Sequence, residues 1–228
     1  MFKSYEIPPA YVVKDFSLSI ETGEIFCIVG PSGCGKSTVI KMIAGIIEPT
    51  KGQLVRPAHV GMVFQSYALL PWLTVEGNVA FAARMQHFGA AKVEEVTRKY
   101  LRMVHLEAFA RKYPRELSGG QRQRVGIARA LAVEADVLLM DEPFSALDPV
   151  ITDELHEDLL EIWEATKRTI VMVSHHFEEA VTLADRVGVM NEGKLEQIVS
   201  IGLPRPRKEE NLGFMSEVKK IRGCLVRA

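Results

Sequence analysis

Cysteine is scarce. Cys27, Cys34 and Cys224 are the only three, and their spacing suits neither a disulfide framework nor a metal-binding set. Cys27 lies in an apolar run and Cys34 in a glycine-rich loop, which points to a reducing compartment, the cytoplasm. Charge of one sign is also missing: the formal net charge of −1 argues against a general nucleic-acid surface, which carries a basic excess. No apolar run reaches the roughly 18 residues needed to span a bilayer, so any membrane role is expected to be peripheral, through a partner. The start of the chain, with Pro8, Pro9 and a glutamate, lacks the apolar region of a secretory signal. Internal repeats and low-complexity segments are absent. The 228 residues suffice for one large domain, or a core with a subdomain, and a sizeable interior.

What the sequence does contain is organised around residues 25–46. Five consecutive apolar residues, Ile25 to Val29, read as a buried parallel strand. Gly30-Pro31-Ser32-Gly33-Cys34-Gly35-Lys36-Ser37-Thr38 follows and matches the phosphate loop G-x-x-x-x-G-K-[ST], and an apolar helical run continues to Ile46. Gly30, Gly33 and Gly35 lack a Cβ, so the backbone can curl around a polyphosphate and aim its N–H groups inward. The helix start near Lys36 adds its positive dipole end. Lys36 is suited to the β and γ phosphates and the Ser37 hydroxyl to Mg²⁺. Average residue usage puts a chance match in a chain of this length on the order of one per cent. The expectation is a nucleoside triphosphate site.

Read in order, Val12 to Ile20 alternates imperfectly as a first strand, joined to the next by the turn Glu21-Thr22-Gly23-Glu24. Tyr5 ahead of it is as consistent with a surface tyrosine as with a base-stacking one. His59 to Phe64 reads as a second buried strand with Gln65 at its end; alone, that glutamine is no more than a loop amide. Residues 73–131 carry helical patterns, such as Val93, Val96, Tyr100, Met103 and Val104, and no strand pattern, which suggests an amphipathic helical subdomain. It closes on Leu117-Ser118-Gly119-Gly120-Gln121, where Ser118 is a good N-cap. That is either a capped helix start or a second anion site.

Val137 to Met140 is a third buried strand ending in Asp141-Glu142, carboxylates placed to support Mg²⁺ and to polarise water. Asp148 and Pro149 open a helix with the apolar face Ile151, Leu155, Leu159, Ile162 and Trp163. Thr169 to Val173 is a fourth strand, ending in Ser174-His175-His176, and Asn191-Glu192-Gly193 marks a final hairpin. Beyond Arg207 the charged tail has no legible role.

Together GPSGCGKST (30–38), Gln65, LSGGQ (117–121), VLLMDEP (137–143), SALD (145–148) and VSHH (173–176) resemble the ATP-binding subunits of ABC transporters, over nearly the whole chain. The resemblance implies an α/β fold: a P-loop NTPase (RecA-like) core with an N-terminal antiparallel β-subdomain, 1–72 and 132–228, and an inserted α-helical subdomain, 73–131. It implies ATP and Mg²⁺ as ligands, with Gly30 to Thr38 as phosphate loop. Gln65 would link Mg²⁺ and the attacking water to the membrane partner, Asp141 would support Mg²⁺ through water, Glu142 would be general base, and His175 would contact the γ phosphate. Ser118, Gly119, Gly120 and Gln121 would bind the ATP held by an opposite subunit, with Asp148 at the dimer interface. Tyr5 or Tyr11 would stack on adenine; the segment to Lys36 is about two residues longer than in the family, and His176 stands where relatives often have an aspartate.

The implied assembly is a second copy or a paralogous ATPase, with integral permease subunits and, indirectly, a solute-binding protein, at the cytoplasmic face of the inner membrane. Pro114-Arg115-Glu116-Leu117 and Phe144 resemble bacterial importers, and Ile201 to Arg207 the nitrate, sulfonate and taurine branch. No added regulatory domain of the kind carried by sugar-importer ATPases is expected. The competing expectation, a soluble ABC-type ATPase acting on ribosomes or DNA, usually entails two cassettes or long coiled coils, and neither is in this sequence. A non-hydrolysing regulatory module conflicts with the Asp141-Glu142 pair and His175.

Overall fold

The computed structural model describes residues 1–5 and 10–226; residues 6–9, which include Pro8 and Pro9, and 227–228 lie outside the described residues. In chain order the strands are β1 (Lys3–Ser4), β2 (Tyr11–Val13), β3 (Ile25–Val29), β4 (Val60–Val63), β5 (Val137–Asp141), β6 (Thr169–Ser174), β7 (Arg186–Asn191) and β8 (Lys194–Ser200). The helices are α1 (Lys36–Ile43), α2 (Val75–Met85), α3 (Ala90–Met103), α4 (Gly119–Leu131), α5 (Pro149–Thr166), α6 (Phe177–Leu183) and α7 (Phe214–Val226). The chain forms two compact units, Met1–Arg56 with Arg168–Ala228, and Pro57–Lys167.

In the first unit β3 lies parallel to both β6 and β7, and β8 returns antiparallel along β7. A strand paired on both edges and covered by α6 has no solvent face, which is why Ile25 to Val29 form an unbroken apolar run, fully buried. The register sets Val29 beside Ser174. Parallel strands bring their carboxyl ends to one edge, so the loop after β3 and the turn after β6 leave the sheet together. The β7–β8 turn has Glu192 at φ 43° and Gly193 at φ 86°, the two positive values a tight hairpin needs.

Two expectations for this unit are corrected. The first strand stops at Val13 rather than Ile20, because Asp15 enters the left-handed region at φ 45° and breaks the ladder. Lys14 and Phe16 still donate to the carbonyls of Gly193 and Met1, at 2.8 and 3.0 Å. Helix α1 stops at Ile43, short of Ile46, because Gly45 turns left-handed at φ 73°. The charged tail is structured: α7 packs on α6 and β7 and buries Phe214, Val218 and Ile221, one helical face. Just before it, Arg207 Nη1 donates to Val181 O (3.0 Å) and Ala184 O (2.5 Å), and Arg205 Nη2 to Leu183 O (2.5 Å). Two cations therefore close the negative end of α6.

In the second unit β4 and β5 pair in parallel, Val60 with Val137 and Val63 with Met140. Helix α4 crosses β4 so closely that a Cβ on Gly61 would sit 2.3 Å from Ala130 O. Helices α2 and α3 pack on α4 with Val79, Val93, Val96 and Tyr100 buried, in line with the helical pattern of residues 73–131.

Candidate functional site

The phosphate loop is built by the end of β3 and the start of α1. Gly30 can only be glycine, since a Cβ there would lie 2.0 Å from Met190 O. Gly33 and Gly35 have φ of 81° and 106°, values that bend the chain around a centre and that side chains resist. At that centre Lys36 is 4% exposed, its ammonium donating to Gly30 O at 2.9 Å and Pro31 O at 3.0 Å. The hairpin turn props the loop from behind, with Gly193 N–H donating to Cys34 O at 3.1 Å. Pro31 and Ser32 are exposed, while Ser37 and Thr38 sit half-buried in the first turn of α1. The Tyr5 hydroxyl donates to Thr38 Oγ1 at 3.4 Å, and the ring is 59% exposed. Tyr11 instead packs edge-on against Phe2, ring centroids 5.3 Å apart.

The turn after β6 is tied by a bond the sequence did not suggest. Buried Ser174 donates to the Glu179 carboxylate, and its Oγ accepts from His176 N–H at 2.9 Å. His175 and His176 are exposed, rings 4.0 Å apart. Burial first, and the Glu179 charge second, push the neighbouring Cys27 thiol well above its usual range, so Cys27 is inert packing rather than a nucleophile.

In the second unit the structure brings Gln65 and Glu142 together. Gln65 Nε2 donates to Ser145 Oγ at 3.2 Å and lies 3.5 Å from Glu142 Oε2, while Ser145 Oγ donates to Glu142 O at 3.0 Å. Ser145 opens the SALD run, and the motif resemblance assigns it no role. Its short polar side chain one turn after an Asp-Glu pair is the signal that marks it. Asp141 ends β5, 8% exposed, and Glu142 turns left-handed at φ 47°. A non-glycine residue in that region is strained, a feature that concentrates at functional sites.

The LSGGQ run starts α4. Ser118 Oγ accepts from Gln121 N–H at 3.2 Å and Gln121 Oε1 from Ser118 N–H at 3.0 Å, a reciprocal capping box. Gly119 and Gly120 leave room for Leu147 and Ile151, whose side chains would lie 3.1 and 2.6 Å from added Cβ atoms. Asp148 Oδ1 caps α5 by accepting from Ile151 N–H at 3.1 Å. Behind the run, Arg124 pairs with Asp158 at 2.9 Å, although burial still holds that carboxyl above its usual range. The Ser37 hydroxyl and the Asp141 carboxylate are hard oxygen donors of the kind Mg²⁺ prefers.

Comparison with known proteins follows the same lines. The ABC transporter family model matches residues 13–145. The glycine betaine/proline betaine transport system ATP-binding protein ProV of Escherichia coli is 46% identical over 209 residues, 84% of this chain and 52% of that protein. The chain thus spans about half the length of that relative. The nitrate import ATP-binding protein NrtD of Synechococcus elongatus is 40% identical over 223 residues, 91% of this chain and 81% of that one. A solved dimeric ATP-binding cassette, in a post-hydrolysis state bound to ADP and Pi, superposes with TM-score 0.76 at 30% identity, over 89% of this chain and 96% of the other. The glycine-lysine motif at 30–38 and the LSGGQ run at 117–121 both fall within residues 13–145, and the chain belongs to the ABC transporter family, with the fold of its ATP-binding cassettes.

Proposed function

We propose that this chain is the ATP-hydrolysing subunit of an importer, acting at the cytoplasmic face of the inner membrane beside integral permease subunits and, through them, a solute-binding protein. Residues 1–72 and 132–228 serve as nucleotide core and 73–131 as the helical subdomain. The observation that carries this reading is the Gln65–Ser145–Glu142 group at the end of two apolar strands. It holds a carboxylate and an amide donor where a water molecule can be both oriented and deprotonated.

Gly30 to Thr38 wrap the phosphates, with the Lys36 ammonium moving from the loop carbonyls to the β and γ phosphates, and Tyr5 stacks on adenine. Ser37, Gln65 and, through water, Asp141 would hold Mg²⁺, which would supply positive charge to neutralise the phosphates. Glu142 takes the proton of the attacking water, and His175 contacts the γ phosphate. Ser118 to Gln121 complete the site of a second copy or a paralogue, with Asp148 at their interface. Closure on ATP and opening after hydrolysis then drive the permease.

For the solute, the Ile201–Arg207 ending and the similarity to NrtD support a small anion such as nitrate, a sulfonate or taurine. The similarity to ProV favours a second reading, a betaine. Action on ribosomes or DNA has no support in relatives that carry transport names. The test is Glu142→Gln: ATP binding persists while turnover falls by about 10²–10⁴-fold. The ATP-bound variant is then used to capture partners from detergent-solubilised membranes. Recovery of a polytopic permease supports the proposal, and its companion binding protein separates anion from betaine. Turnover within a few-fold of wild type removes Glu142 as base, and recovery of ribosomal or DNA-repair proteins alone overturns the transport role.

A further inference from the structure

Directly after Gln65 the backbone is strained twice in succession. Tyr67 and Ala68 have φ of 61° and 47°, the left-handed region for two residues that are not glycine. Ala68 N–H donates to Ser66 O at 2.6 Å, closing a three-residue turn around Tyr67, the rare form with positive φ. Such a turn persists only where its surroundings impose it.

One face of α4 imposes it. Gly119, Arg122, Gly126 and Arg129 follow one another at helical spacings of three, four and three. A Cβ on Gly126 would sit 3.7 Å from Tyr67 O, and one on Gly119 would sit 3.5 Å from the Tyr67 hydroxyl, so Tyr67 runs along the helix. The Arg122 guanidinium covers its ring at 5.5 Å. Arg129 then donates with Nη2 to Tyr67 O at 3.0 Å and with Nη1 to Ala68 O, holding both strained residues with one planar fork. The far end of the same segment is pinned separately: buried Asn78 accepts from Leu70 N–H at 2.8 Å and donates to the carbonyls of Leu70, Leu73 and Thr74.

We propose that Arg129 is a positioning residue for Gln65: by clamping the Tyr67–Ala68 turn onto α4 it ties the placement of the glutamine to the helix that begins with the LSGGQ run. This rests on the proposed hydrolytic role of Gln65. Arg129 lies eleven residues past Ser118 on α4 and its guanidinium bonds the carbonyls of Tyr67 and Ala68, so it acts on Gln65 through the turn. Lysine can replace it only in part, because a point charge does not hold two carbonyls in fixed geometry.

The test uses Arg129→Ala, Arg129→Lys, Ala68→Gly and the Ala68→Gly/Arg129→Ala pair in the full chain. Turnover, affinity for a fluorescent ATP analogue, and hydrogen exchange of residues 64–70 are read for each. Arg129→Ala is expected to lower kcat about ten-fold, within the ~100-fold that an ångström of misplacement can cost, with nucleotide affinity unchanged. Exchange of the Tyr67 and Ala68 amides is expected to rise about ten-fold, confined to that segment. Arg129→Lys falls between. Adding Ala68→Gly, which adopts the left-handed region freely, is expected to restore most of both losses. An unchanged kcat overturns the proposal, as does a loss of nucleotide affinity or a general rise in exchange, either of which marks Arg129 as merely structural. Absence of rescue by glycine overturns it too. If the wild-type chain binds ATP without hydrolysing it, the hydrolytic role fails by itself, and exchange in the same variants still decides whether the clamp exists.

Discussion

Ile151 occupies the space that Gly120 leaves open, its Cγ2 lying 2.6 Å from where a Cβ would stand. The Ile151 N–H is meanwhile bonded to Asp148 Oδ1 at 3.1 Å, so the cap that starts α5 and the glycines that start α4 fit against each other. β-branched Ile151 has little rotamer freedom in a helix and cannot swing aside. Gly120→Ala is therefore expected to destabilise the chain by about 1–3 kcal/mol through overpacking. Adding Ile151→Ala should return most of that loss, as a double-mutant cycle in urea will report. Equal midpoints for Gly120→Ala and wild type would contradict the close fit.

Ser145 is the shared partner of Gln65 and of the Glu142 backbone. Ser145→Ala removes one neutral hydrogen bond at each, about 1 kcal/mol, which corresponds to roughly a five-fold fall in turnover. Nucleotide affinity should not move, because no atom of Ser145 belongs to the phosphate loop. Steady-state kinetics with a separate nucleotide titration checks both. Unaltered turnover would show that the 3.5 Å contact with Glu142 holds Gln65 unaided.

Arg207 closes α6 by bonding Val181 O, Ala184 O and, through Nε, Leu203 O at 2.7 Å. Arg207→Met leaves three carbonyls without that donor and should cost at least ~2 kcal/mol; Arg207→Lys should recover only part. Burial, with Arg205 as second cause, lowers the guanidinium pKa to about 10. A lowered pKa in a base makes the unfolded chain bind more protons, so stability rises with pH only between that value and the usual arginine range. Near neutrality both states are charged. Wild type and Arg207→Met should accordingly differ by the same margin in melting curves at pH 6 and pH 8.

Glu134 provides a pH-dependent contribution. Burial alone would raise its carboxyl, but the Tyr100 hydroxyl at 3.0 Å, with Lys99 at 3.5 Å and Lys92 at 3.7 Å, outweighs burial and holds it below the usual value. A lowered carboxyl contributes stability that is complete above the ordinary carboxylate range and disappears as the pH falls through the folded value. Glu134→Gln is thus expected to cost up to about 1 kcal/mol at pH 7, solvent screening weakening the two lysine contacts, and to converge with wild type in acid, once the pH has fallen below the folded value. Denaturant curves at pH 7 and in acid test it; a gap that persists in acid would assign the effect to packing.

How much of this was legible beforehand depended on distance along the chain. The phosphate loop, the Asp141-Glu142 pair, the Ser118 cap and the Asp148 cap are contiguous motifs whose chemistry is written in neighbouring residues. Buried strands β3, β5 and β6 were readable because full burial demands unbroken apolar runs. The Ser174–Glu179 tie, the Ser145 link to Gln65 eighty positions earlier, and the Arg129 fork on Tyr67 were not readable, since nothing local marks which partner a polar side chain will meet. Strand β2 was overread for a similar reason: alternation was present, but a single left-handed residue, Asp15, ended the ladder.

Sequence alone carries the expectation of a polyphosphate ligand, because glycines, lysine and hydroxyl stand at the spacing of a phosphate cradle between a strand and a helix. It also determined the family, through the order of its motifs. Tertiary structure alone decided that Tyr5 rather than Tyr11 reaches Thr38, that the charged tail becomes a helix packed on α6, and that the turn after Gln65 is held by α4. Those outcomes arise from packing between segments far apart in the chain, where shape and unsatisfied backbone groups choose the partner.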